Sequence, residues 1–110
     1  MKKNQINVQL ASAALTVLMA WVAAPGNAFA QGEALQTRSM AASCSNCHGT
    51  NGAAVAGMVA LAGYNKADLV KNMADFKSGA RPATIMHQLA KGYSEGQIDA
   101  IAGYFAAQKK

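Results

Sequence analysis

The sequence predicts a small all-α domain of three to five short helices, on three observations. Apolar residues recur at helical spacing, as Leu69, Val70, Met73 and Phe76 in one run and Ile98, Ile101, Ala102 and Phe105 in another. Each run follows a cap: Asn65 before Lys66, and Ser94 with Gln97 in the capping-box arrangement. No stretch alternates as a strand would, and neither an internal repeat nor a linker interrupts residues 31–110.

The first thirty residues read as a leader outside that domain. Lys2 and Lys3 give a positive start, Val8 to Ala24 is almost wholly apolar, and Ala28-Phe29-Ala30 is a small-x-small cleavage pattern. Pro25-Gly26-Asn27 breaks the apolar run just before that pattern, which favours a cleaved signal peptide (1–30) over a membrane anchor. The expectation is export to the periplasm, with cleavage after Ala30 and no membrane span afterwards.

Along the domain, residues 32–43 read as a helix leading into two cysteines, with Leu35 and Met40 as its apolar contacts. Residues 49–63 are rich in Gly and Ala, with Thr50-Asn51-Gly52 as a turn, and suit a loop lying against something flat. The Asn65-capped helix should end at Ser78-Gly79. Pro82 suits the first position of a short helix carrying Ile85, Met86 and Leu89 to near Gly92, and the last helix should run to about Ala107.

About eighty residues form a marginal core unless a staple or cofactor completes it. Residues 31–110 hold eight Lys or Arg against five Asp or Glu, a mild excess without the dense basic stripe that nucleic acid requires. Cys44 and Cys47 are too close in sequence for a disulfide between them to add much stability.

Cys44-Ser45-Asn46-Cys47-His48 is instead the Cys-x-x-Cys-His pattern of covalent haem attachment. Two intervening residues let both thiols reach vinyl groups on one porphyrin edge, and the next imidazole meets the iron. A thioredoxin-like pair would need a preceding strand and a βαβ frame, and a zinc site would need finger spacing; neither is found. The sixth iron position falls to Met40, Met58, Met73, Met86 or His87. Met40 and Met73 fall in phase with packing residues, and Met58 lies in the Gly/Ala loop. Met86 is best placed to return across the open haem face, with His87 as the alternative.

With this motif near the front, a methionine some forty residues later and a closing helix, the domain resembles class I cytochromes c over nearly all its length. The resemblance implies a fold in which first and last helices cross beside one covalently bound haem c, bringing Leu35 or Met40 to Ile101, Tyr104 or Phe105. More narrowly, Phe76-Lys77-Ser78-Gly79-Ala80-Arg81-Pro82-Ala83-Thr84-Ile85-Met86 and Ala90-Lys91-Gly92-Tyr93-Ser94 resemble the cytochrome subunits of flavocytochrome c sulfide dehydrogenases. That implies a non-catalytic, electron-transferring subunit served by a flavoprotein and a downstream electron acceptor. Carried over by motif, Cys44 and Cys47 attach the haem, and His48 and Met86 bind the iron. Lys77, Arg81 and Lys91 flank the ligand segment as candidate docking cations. One departure is visible: class I relatives commonly have a proline whose carbonyl accepts the proximal imidazole N–H, and none occurs between His48 and Gly63. Another carbonyl must serve.

Overall fold

A computed structural model describes residues 26–54 and 57–110, with side chains from residue 29 onward. The apolar run of the expected leader lies outside the described residues, whereas Gln31–Lys110 forms one compact unit. Four α-helices follow in order: α1 (Gly26–His48), α2 (Lys66–Ser78), α3 (Met86–Lys91) and α4 (Glu95–Ala106), with a 3-10 turn at Thr50–Gly52 after α1. There is no strand among the described residues.

The caps read from the sequence form. Asn65 Oδ1 accepts from the Asp68 N–H at 3.2 Å and starts α2. Ser94 Oγ accepts from the Gln97 N–H while Gln97 Oε1 accepts from the Ser94 N–H, a reciprocal box that fixes the start of α4. Gly79 ends α2 in the left-handed region at φ 82°, where a side chain would be strained.

Two helix boundaries differ from expectation. Helix α1 continues through the cysteines to His48, because Ser39, Ser43 and Ser45 each turn a hydroxyl back onto a carbonyl three or four residues earlier. Those hydroxyls bond within the helix instead of competing with it. Helix α3 starts at Met86 and not at Pro82. The Arg81 N–H donates to the Asp75 carbonyl, and its guanidinium reaches Asn72 Oδ1 and lies 5.0 Å from the Phe76 ring centre. The segment is thereby folded back along α2, and the chain is free to turn helical only afterwards.

The core is thin. Ala41, Leu69, Met73, Ala90, Ile98, Ile101, Ala102 and Phe105 form one buried cluster, and Phe105 is its sole large side chain with no exposed surface. Helix α2 is the hub, packing on both α3 and α4. Helix α1 joins through its C-terminal half, where Ala41 is buried and Met40 and Cys44 rest against the cluster. Of the two residues expected to meet the last helix, Met40 packs against a core containing Ile101 and Phe105, but Leu35 is 67 % exposed. Six residues of helix, about 9 Å, separate it from Ala41, and it lies beyond the reach of that core.

Candidate haem site

The attachment residues occupy the end of α1 and are held there by the turn that follows. Gly49 (φ 83°) and Gly52 (φ 78°) adopt left-handed backbone, and a Cβ on Gly49 would collide with the Ala53 carbonyl. Gly52 is hemmed in on three sides: a Cβ there would come within 2.9 Å of the Ala62 nitrogen, the Phe105 ring and Leu61. Its carbonyl accepts from both the Leu61 and Ala62 N–H groups, which draws residues 61 and 62 back against the turn. Asn51, itself left-handed at φ 53°, accepts from the Tyr104 hydroxyl at 2.9 Å. The turn is thereby tied to the last turn of α4.

This frame orients His48. Its Nδ1 lies 2.7 Å from the Val59 carbonyl oxygen. A carbonyl can only accept, so Nδ1 carries the proton and, in the neutral ring, Nε2 keeps the lone pair that a metal requires. Val59 thus supplies the carbonyl that the missing proline leaves open. Contacts of this kind fix ring orientation and ligand basicity.

Cys44 and Cys47 are free thiols, the first half-buried and the second exposed. Burial pushes the Cys44 thiol above its ordinary value, outweighing a lowering hydrogen bond from Ser43. A redox-active pair needs the opposite shift toward thiolate. No group of three or more His, Cys, Asp or Glu gathers as a metal cluster among the described residues.

The candidates for the sixth position are sorted by burial. Met73 is buried in the core and Met40 packs against it. Met58 is exposed next to Val59, while Met86 is half-buried at the first turn of α3, bordering the same cluster as Cys44. His87 points elsewhere: its Nδ1 is buried without a partner, in a cleft that none of the attachment residues lines. Met58, Val59, Ile85 and Leu89 are exposed apolar side chains, two beside the His48 acceptor and two near Met86 in sequence. The residues present fit haem c: two thiols, an oriented imidazole, a thioether and uncovered apolar surface for a planar apolar group.

No protein-family model matches the chain. Over 68 residues it is 37 % identical to the cytochrome subunit of sulfide dehydrogenase of Chlorobaculum tepidum, covering 62 % of this chain and 62 % of the relative. Over 96 residues it is 36 % identical to cytochrome c4 of Pseudomonas aeruginosa, covering 86 % of this chain and 48 % of the relative. A thiosulfate dehydrogenase electron acceptor of Stutzerimonas stutzeri is 39 % identical over 69 residues, 61 % of this chain and 32 % of the relative.

These relatives support a class I cytochrome c.

This cytochrome spans between about a third and three fifths of the length of those relatives. Its all-α architecture agrees with theirs. By name, the relatives are cytochromes and electron acceptors, and haem c is the cofactor that kinship implies. No helix of the described residues is long and apolar enough to cross a membrane.

Proposed function

We propose that this cytochrome is a periplasmic single-electron carrier with one haem c, serving as the cytochrome subunit of a sulfide-oxidising flavoprotein complex. Cys44 and Cys47 hold the haem by thioether bonds, His48 is the proximal ligand and Met86 the distal one. The observation that carries the reading is the His48 ring, fixed by the Val59 carbonyl one residue after a Cys-x-x-Cys pair. Haem, when bound, supplies one-electron iron chemistry.

The chain's own residues orient and cover. The Val59 carbonyl holds His48 Nδ1–H, so that Nε2 stays directed to one axis. Met86, anchored by α3 against the core, supplies a soft thioether suited to a fairly high potential. Tyr93 links the two sides: Ser43 donates to the Met40 carbonyl, so the Tyr93 hydroxyl must donate to Ser43 Oγ at 2.6 Å, one residue from Cys44. Lys77 Nζ in turn donates to the Tyr93 carbonyl. With His48 and Met86 both held by this chain, a site loaded with haem would carry electrons without rearrangement and with no position left for substrate.

Two measurements test the site. The oxidised protein should show the weak far-red sulfur-to-iron band, and Met86→Ala should lose it and lower the potential, while His87→Ala keeps both. Carbon monoxide bound readily by the reduced wild type would instead indicate an open iron and a gas sensor or haem enzyme.

The sulfide role draws on likeness to the sulfide dehydrogenase cytochrome subunit over 62 % of the chain. Oxidising sulfide to sulfur releases two electrons, whereas a one-haem domain takes one at a time, so the flavoprotein must divide the pair before a downstream acceptor drains each electron. Mixing the holoprotein with its candidate flavoprotein and adding sulfide should give fast, flavin-dependent haem reduction. Equal reduction without the flavoprotein, or no complex, would leave a freely diffusing carrier.

A further inference from the structure

Lys77, Arg81 and Lys91, which the sequence offers as docking cations, line one cleft between the end of α2, the Arg81–Ala83 connection and α3. Its volume is about 240 Å³, room for several water molecules at roughly 30 Å³ each. Phe76, Pro82 and His87 complete its wall, and no carboxylate lines it.

What holds Lys77 and Arg81 distinguishes them from Lys66 and Lys71. Lys66 pairs with Asp99 at 2.8 Å and Lys71 with Asp75 at 2.6 Å. In the cleft, Lys77 is held by the Tyr93 carbonyl, and Arg81 by the Asn72 amide oxygen and the face of Phe76, all neutral partners. Each contact fixes a side chain without cancelling its charge, and each leaves N–H donors unspent. Two carbonyls of the last turn of α2 are already engaged: Asp75 O accepts from Arg81 N–H and Ser78 Oγ, and Phe76 O from Gly79 N–H. His87 lines the same wall.

We infer that this cleft is an anion site, built for a small doubly charged oxyanion of the sulfate or phosphate class. Two fixed cations, one of them a planar guanidinium, and the Lys91 ammonium match several oxygens on one centre. The site is separate from the haem ligands. Met86 and Ala90, four residues apart, face the core, whereas His87 and Lys91, also four apart, face the cleft.

The test uses the reduced holoprotein at constant ionic strength, with sulfate or phosphate replacing chloride and amide and His87 ring resonances followed by NMR. Saturable one-site shifts at Lys77, Arg81, His87 and Lys91 are expected. Lys91→Gln removes an exposed cation without a partner to disturb and should weaken binding about tenfold, the equivalent of one charge-assisted hydrogen bond. Arg81→Gln should do at least as much, and Lys66→Gln, outside the cleft, should change nothing. Shifts that do not saturate, or a Lys66→Gln effect equal to that of Lys91→Gln, would reduce the effect to general screening and overturn the proposal. So would absence of binding in the holoprotein, since the cleft would then be filled or closed by the protein's own groups.

Discussion

The two sides of the site are built in different ways. The attachment side is short-range and over-determined: from Cys44 to Gly63, four left-handed glycines, a doubly used Gly52 carbonyl, the His48–Val59 bond and the Asn51–Tyr104 bond all constrain the described residues. The distal side hangs on a six-residue helix with no side-chain cap, preceded by a connection without regular structure. A helix that short has little stability of its own and takes its position from packing, here through Met86 and the buried Ala90. A covalently attached group needs a rigid seat, whereas a non-covalent ligand segment can be positioned by what it closes upon.

That contrast makes the largest prediction one about the cofactor. Among the nine buried hydrophobic residues, four are alanine, and Met58, Val59, Ile85 and Leu89 stay exposed. So small a core is marginal for about eighty residues. Cys44→Ala/Cys47→Ala, unable to attach haem, should lose cooperative thermal unfolding by circular dichroism. A sharp transition in that variant would show that the helices hold each other without the disc.

A pair of glycines sharpens the comparison. Gly52→Ala puts a Cβ against backbone and the Phe105 ring at 2.8 Å with φ at 78°, and should cost about 2–4 kcal/mol from strain and overpacking together. Gly79→Ala, on the distal side, has the same left-handed φ but nothing within 4 Å, and should cost about 1–2 kcal/mol. Equal losses in urea denaturation would mean that backbone strain alone decides both.

The same division governs what could be read from the sequence. Asn65, Ser94, Gln97 and Gly79 act within four residues of their partners, and their caps and stops were legible. The attachment motif was legible for the same reason. The start of α3 was not, because Pro82 looks like a helix opener until Arg81 is drawn to Asn72, Phe76 and Asp75 by contacts five to nine residues back. Nor could the sequence name Val59: every residue of the loop has a carbonyl, and only the Gly52 turn selects which one reaches His48. The continuation of α1 past residue 43 to His48 was not legible either, since it goes with where the Ser43 and Ser45 hydroxyls bond.

The smallest effect concerns the tie between the attachment turn and α4. Tyr104→Phe removes only the hydroxyl that donates to Asn51 Oδ1, an exposed bond expected to contribute about 0.5–1 kcal/mol. Asn51→Gly removes the acceptor and also relieves the left-handed backbone at φ 53°, so its net cost should be smaller or near zero. Neither single variant isolates the bond, because the second mixes a lost contact with a relaxed backbone. The double-mutant cycle does, since the backbone gain appears in both arms and cancels. A coupling of about 0.5 kcal/mol or more from chemical denaturation would confirm that the turn is fastened to α4 through this pair. Coupling near zero would leave the Gly52 carbonyl, with its two N–H partners, and the Gly63 N–H to Phe105 bond as what holds the attachment side in place.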